Sequence, residues 1–356
     1  MKRELFVGKP DVHKMESYPC FDWLRLVLAL IVVIDHSGFN IAPFLTGGLA
    51  VKTFFALSGW LIGGILLTTK IDDLPRFFFN RATRIWIPYA AAIGLIYGTA
   101  LLKEGIDIYW FKYLFLDLTF THQLYTFFPA AASEMPMAGT GNHFWSIAVE
   151  EQFYLLAPLL MLFAPWGKSL KLWVPIAIIC TLLGGGMASI SLGVCAAIAQ
   201  RDWSFAGRPS TSVASLIIAS VCAMVISLRG HDHIVGPLFA ISLVVLLASP
   251  GTRTRLGIVA GGISFPLYLN QWIAAFALGY LAKHGLALSP FAHIAVIIVL
   301  SIAVAFALYW MIDRPVLKYR SQWFTPDFGR QLGFTAYGLV ALGIVGGGVL
   351  QLYPPT

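Results

Sequence analysis

Residues 23–43 read WLRLVLALIVVIDHSGFNIAP, and the fold turns on how few polar groups interrupt them. A helix rises 1.5 Å per residue, so an apolar run of about 20 residues crosses roughly 30 Å of hydrocarbon. The stretch therefore reads as a membrane span. Two of its three ionisable residues, Arg25 and His36, stand eleven positions apart. Eleven steps of about 100° return to within roughly 20° of the starting azimuth and advance about 16 Å, so both side chains lie on one stripe. An ionisable group at membrane depth costs about 2.5 to 3.5 kcal/mol on the insertion scale, which makes a retained one a candidate for function.

The rest of the chain extends that pattern. Of 356 residues, 58% are hydrophobic and 12% charged, and the mean hydropathy is +0.78. This composition belongs to a polytopic membrane protein and excludes an ordinary soluble globule. The fold class expected is an all-α membrane bundle of about ten or eleven transmembrane helices, making one domain over residues 1–356. Spans are expected near 23–43, 48–68, 84–102, 144–165, 171–186, 187–200, 209–228, 233–249, 256–281, 290–312 and 334–352. Gly184, Gly185 and Gly186 mark either a turn between two short spans or a break within one, and the glycine-rich last span reads as packing.

With the N-terminus in the cytoplasm, all of the 24 basic residues except Lys52, Lys103, Lys112, Arg229 and Lys283 fall on the cytoplasmic side. Lys2, Arg3, Lys9 and Lys14 contribute to that bias, which follows the positive-inside rule. The apolar run after residue 22 has the length of a full span, so no cleaved signal peptide is expected. The formal charge of +7 then reflects loops facing anionic lipid or an anionic ligand, with no nucleic-acid patch. Cys20, Cys180, Cys195 and Cys222 lack paired spacing and read as inert thiols. The longest loop, 103–143, carries Trp110, Tyr113, Phe115 and Tyr125 on the outer side and is expected to hold a short interfacial or re-entrant helix, with a merely anchoring aromatic belt as the alternative.

Chemistry concentrates in three places. Glu150 and Glu151 sit in the apolar run FWSIAVEEQFYLLAPLL, at a depth expected to match His36. A carboxylate beside an imidazole holds its tautomer and stabilises its charged form. Asp35 points about 100° away from His36 and is a second possible orienting partner. Asn142, His143, Trp145 and Ser146 line the mouth of the same helix as the glutamates. At the opposite face RFFFNRATRIWIP puts Arg81 and Arg84 one turn apart with Arg76 nearby, a cluster suited to phosphate through forked hydrogen bonds. The bland alternatives are a snorkelling arginine, a satisfied histidine and headgroup anchoring. No Walker-type loop, HExxH or metal-spaced His/Cys cluster is present in the sequence, so no metal centre is expected.

These residues bring a family into view. The segments DWLRLVLALIVVIDHSG, GGLAVKTFFALSGWLI, FFFNRATRIWIPY, HFWSIAVEEQFYLLAPLL, GGISFPLYLNQW and WMIDRPVLKYR, in this order over about residues 20–320, resemble the acyltransferase-3 family of membrane O-acyltransferases, which modify bacterial surface polysaccharides, lipopolysaccharide and lipid-linked sugars. The resemblance implies acyl transfer from a cytoplasmic acyl-CoA, acetyl-CoA or succinyl-CoA, to a sugar hydroxyl at or beyond the membrane. It implies His36 at the centre of catalysis with Arg25 as partner, Arg81 and Arg84 on donor phosphates, and a bacterial cytoplasmic membrane location.

The sequence departs from the family pattern at two points. Tyr268, Leu269, Asn270 and Gln271 stand where relatives often read Tyr-Leu-x-His, so an amide replaces that histidine, and Tyr268 and Gln271 are expected to meet substrate. Asp313, Arg314 and Pro315 stand where many have Glu-Arg-Pro. No fused extracytoplasmic hydrolase-like domain is seen in these residues, so the acceptor chemistry is expected to finish in the membrane domain or through a separate protein.

The leading expectation is an O-acyltransferase for a lipid-linked repeat unit of an exopolysaccharide or surface glycan, working beside a polymerase or flippase. His36 would serve as general base with Glu150 or Glu151 behind it. A covalent acyl-histidine relay is a variant. A transporter or flippase of a small anion or lipid-linked saccharide is the alternative, weakened by the lack of matching inverted repeats.

Overall fold

A computed structural model describes residues 17–126, 129–230, 233–285 and 288–352. Lys2, Arg3, Lys9 and Lys14 lie outside the described residues. Thirteen helices carry the fold: α1 Cys20–His36, α2 Gly47–Thr68, α3 Leu74–Glu104, α4 Ile108–Leu118, α5 Trp145–Phe163, α6 Leu170–Leu183, α7 Gly186–Trp203, α8 Pro209–Arg229, α9 Val235–Leu247, α10 Arg255–Lys283, α11 Pro290–Leu308, α12 Arg314–Trp323 and α13 Pro326–Leu352. No strand occurs among the described residues. Six helical stretches are long and apolar enough to cross a membrane by length and composition, with α6 and α9 as shorter apolar helices. The protein is a multi-pass helical membrane bundle.

Each expected span falls on a helix, with ends set by local chemistry. α1 stops at His36, short of the expected 43, because Gly38 takes φ +79° and its N–H turns back to the Asp35 carbonyl. Ser37 Oγ closes on the Ile34 carbonyl at 2.6 Å. His36 is thus the last residue of an approximately 25 Å helix and is exposed. α2 begins where Thr46 accepts from the Leu49 N–H. Gly184 and Gly185, with φ +77° and +97°, separate α6 from α7, which pack side by side. The pair is a hairpin of two short helices.

α2 is the central post, contacting α1, α5, α7 and α9. It meets α7 backbone to backbone: a Cβ on Gly59 would lie 2.0 Å from the Ile190 carbonyl oxygen, and one on Gly193 2.1 Å from that of Ala56. Small residues permit this approach, and close packing is the chief attraction between helices in lipid. α13 packs on α3 and α4, where Gly343 makes room for the Thr119 side chain and Gly346 for the Phe115 ring, while Gly329 lies against the Pro75 backbone carbonyl. α4 lies within the long 103–143 loop and is started by Asp107 accepting from the Trp110 N–H at 2.7 Å.

Two irregularities prepare the site. α10 contains Pro266 and leaves helical geometry at Asn270 (φ −123°, ψ 15°). The Asn270 side-chain amide donates to the Pro266 carbonyl at 3.1 Å, a side-chain substitute for a strained ladder bond. Ahead of Pro315, residues Tyr309–Asp313 widen into a π-turn, the usual way a helix absorbs a misfit, and often a mark of a functional region.

Candidate active site

Two cavities lie along the bundle, one at each end of the Arg25–His36 stripe. The first, about 580 Å³, is lined by five arginines: Arg25, Arg81, Arg84, Arg253 and Arg320. They come from α1, α3, the strand-free link before α10, and α12, so distant segments converge on one space. Against them the lining sets only two carboxylates, Asp22 and Glu150. Asp22 is 2% exposed and takes a forked pair of bonds from Arg253, both 2.6 Å, with Arg25 Nη1 at 3.8 Å. The surplus of guanidinium makes this an anion-receiving cavity. Arg81 Nε is buried without a partner, an unmet donor of the kind an anionic ligand satisfies.

The second cavity, about 430 Å³, is lined by His36, Ser37, Thr140, Asn142, His143, Trp145, Gln271 and Trp272 among others. Apart from the two histidines and the Tyr268 phenol it carries no ionisable lining group, so its chemistry is that of amides, hydroxyls and aromatic rings. The two cavities share two residues, Val51 and Tyr268. The Tyr268 hydroxyl lies 2.7 Å from Ser146 Oγ and donates to the His143 carbonyl at 3.2 Å, with Phe54 edge-on to its ring at 6.0 Å. Tyr268 is the wall between the cavities.

The glutamates do not meet His36 as expected. Glu150 lines the arginine cavity, where its Oε1 accepts from Ser58 at 2.6 Å and its Oε2 from Tyr154 at 2.9 Å. Glu151, 4% exposed, turns the other way and accepts from Trp86 Nε1 at 3.0 Å. Neighbouring residues on a helix diverge by about 100°, so an adjacent pair cannot serve one face. His36 instead shares its cavity with Asn142, His143 and Gln271, and Asp35 precedes it in α1. Gln271 Oε1 is buried without a partner of hydrogen-bond geometry. Asp35 itself abuts the first turn of α2, where a Cβ on Gly47 would lie 2.8 Å from its Oδ2, a favourable place for negative charge.

Other expected residues divide between substrate-facing and structural places. Trp145 and Ser146 line one cavity each. His143 lines the His36 cavity, yet its Nε2 stands 3.0 Å from the Leu269 carbonyl freed at the α10 kink and its Nδ1 3.1 Å from the Thr140 carbonyl. With both nitrogens on backbone oxygens, that ring is not available to take a proton from a hydroxyl. Arg76 is outside the arginine cavity: it is exposed and stacks over Phe324 at 4.4 Å. Arg253, Arg320, Ser58 and Asp22 were not singled out from sequence. Asp22, Ser58 and Arg320 stand in segments that carried the family resemblance; Arg253 has no local signal.

Fold and site together define a polytopic helical membrane protein with an anion-receiving cavity and a histidine-lined cavity set end to end. The chain belongs to the acyltransferase-3 family: the family model described as "Acyltransferase domain" matches residues 18–310. It is 31% identical over 176 residues to a Staphylococcus aureus (strain COL) protein named "Putative O-acetyltransferase", covering 43% of this chain and 26% of that protein. To the peptidoglycan O-acetyltransferase OatA of Listeria monocytogenes it is 31% identical over 179 residues, covering 47% of this chain and 28% of that one. The chain thus matches about a quarter of the length of these relatives. No solved structure matches it.

Proposed function

We propose that this protein is a membrane O-acyltransferase that moves an acetyl group, or another short acyl group such as succinyl, from cytoplasmic acyl-CoA to a hydroxyl of a lipid-linked or surface saccharide. The observation that carries the reading is the shared wall: five arginines face one cavity, His36 faces the next, and Tyr268 with Val51 stands between them. Coenzyme A is a polyanion at one end and a thioester at the other, joined by a long flexible arm. An arginine cavity suits the phosphates, and a neutral, aromatic and amide-lined cavity suits a saccharide.

In the proposed reaction His36 accepts the proton of the acceptor hydroxyl while that oxygen attacks the thioester carbonyl. The C–S bond breaks, and the thiolate leaves and takes the proton from the imidazolium, giving an ester and free CoA thiol. General-base help of this kind is worth about 10² to 10⁴ in rate. Gln271, which lines the same cavity as His36 and keeps an unpartnered buried Oε1, takes the orienting role in place of the glutamates. Glu150 acts on the donor side, offsetting arginine charge and fixing Ser58 and Tyr154.

The bias of basic residues toward one side supports a bacterial cytoplasmic membrane location with the N-terminus inside. The acceptor belongs to the saccharide class that includes exopolysaccharide repeat units and peptidoglycan, the latter named for OatA, delivered by separate polymerase or flippase machinery. Binding of acetyl-CoA to the purified protein tests the donor half. Arg81→Ala with Arg84→Ala is expected to weaken it at least about tenfold, some 1.4 kcal/mol; unchanged affinity overturns the donor assignment.

A further inference from the structure

Beyond the two cavities, one buried polar cluster is not used by the mechanism above. His122 and Asp117 are each 1% exposed and lie in the segment between α3 and α5, outside the long apolar helices. His122 Nδ1 is 2.5 Å from Asp117 Oδ1, and His122 Nε2 is 3.2 Å from Asn142 Oδ1. Tyr97 donates to the other Asp117 carboxylate oxygen at 2.6 Å, and Tyr89 donates to the Asp117 backbone carbonyl at 3.1 Å. Asn142, in contrast, is exposed and lines the His36 cavity. The chain Asp117–His122–Asn142 therefore runs from a fully buried carboxylate to the wall of that cavity.

We infer that Asn142 is an acceptor-binding residue presenting its amide N–H₂ to the saccharide, and that Asp117 and His122 are positioning residues that fix this polarity. The logic is one of donors and acceptors. An imidazolium donates at both nitrogens, to Asp117 and to Asn142 Oδ1, which leaves the Asn142 NH₂ turned toward the cavity. A neutral ring held by Asp117 at Nδ1–H offers a lone pair at Nε2. Asn142 then has to flip, and the cavity meets a carbonyl instead of a donor.

The electrostatics favour the first state. Burial alone lowers the His122 pKa, but the charge of Asp117 and the hydrogen bonds to Asp117 and Asn142 outweigh it and hold the imidazole above its ordinary value. The titratable groups around the pair are Asp117 on α4, against the ring, Tyr89 and Tyr97 on α3, which donate to Asp117, and His143 before α5. Asp117 carries the nearest negative charge. Hydroxyl and carbonyl oxygens of a saccharide accept the hydrogen bond that Asn142 then offers, and a flipped amide withdraws it.

This inference rests on the acyl-transfer reading and is tested apart from it. ¹⁵N-histidine NMR of the protein in nanodiscs, with His122→Asn for assignment, is expected to show both His122 ring nitrogens protonated at neutral pH. A neutral ring there overturns the inference whatever the variants do. In host cells lacking the gene and complemented with variants, alkali-labile acyl ester on the surface glycan is the second readout. Asn142→Asp, which keeps the acceptor toward His122 and loses the outward donor, is expected to lower the ester about fivefold. Asp117→Asn is expected to lower it more at high than at low medium pH, while the wild type stays level. Full ester content in both variants at every pH, with His36→Ala inactive, sinks this inference alone; full ester content in His36→Ala sinks the acyl-transfer reading.

Discussion

Arg25 and His36 share one stripe of a single helix and open into different cavities, Arg25 among guanidiniums and His36 among amides and aromatic rings. One helix thus spans both halves of the proposed reaction. Tyr268, bridging Ser146 and the His143 carbonyl, lines both cavities where they meet.

Removing that side chain is expected to uncouple the halves. Tyr268→Ala opens one cavity to the other and admits water to a bound thioester. CoA thiol release from acetyl-CoA is expected to rise while ester on the acceptor falls. Tyr268→Phe keeps the wall and loses only the hydroxyl bonds, about 1 kcal/mol, so its hydrolysis stays near wild type. Equal hydrolysis in Tyr268→Ala and wild type would show that Tyr268 is no barrier.

Glu150 and Glu151 are expected to fail differently. Glu150→Gln acts in the arginine cavity and is expected to reduce transfer with little change in folded protein. Glu151→Ala leaves Trp86 Nε1 without its acceptor, a loss of about 1 to 3 kcal/mol, whereas Glu151→Gln keeps a carbonyl for Trp86 and removes a buried charge. Thermal unfolding of the detergent-solubilised protein separates them. Equal melting of Glu151→Ala and Glu151→Gln would contradict the structural role.

Gly59→Ala places a methyl group against the Ile190 carbonyl, a backbone atom that cannot swing aside. A cost near 3 kcal/mol, the upper range for overpacking, is expected as early loss of the monodisperse peak on heating. A melting curve like that of the wild type would contradict the backbone contact of α2 and α7.

The His122–Asp117 pair has a stability signature with a fixed sign. Because the folded pKa of His122 is raised, its contribution is fully present below the unfolded value near 6.5 and is lost as pH rises through the higher folded value. Melting temperature in nanodiscs is expected to fall over that upper window, and Asp117→Asn to flatten the change. A wild-type profile that rises across the same window would refute the assignment.

The spans were legible because a membrane helix is specified by a local property, the length of an apolar run. The arginine pair was legible for the same reason: Arg81 and Arg84 are one turn apart, and both reach the cavity. Arg76 misled because nearness in sequence does not fix direction, and its side chain went to Phe324 instead. The end of α1 was missed by several residues because apolar residues continue beyond Gly38, where the backbone has already turned. Pairing His36 with Glu150 or Glu151 failed because depth along a bundle says nothing about which helix faces intervene. Arg253 on Asp22 is a contact across 231 positions, and no local pattern announces it.

The most direct test of the account is a mass spectrum of the surface glycan from host cells carrying either the wild-type chain or His36→Ala at equal membrane abundance. The account predicts acetyl or another short acyl ester with the wild type and its loss with His36→Ala. An identical ester pattern from the two would contradict it.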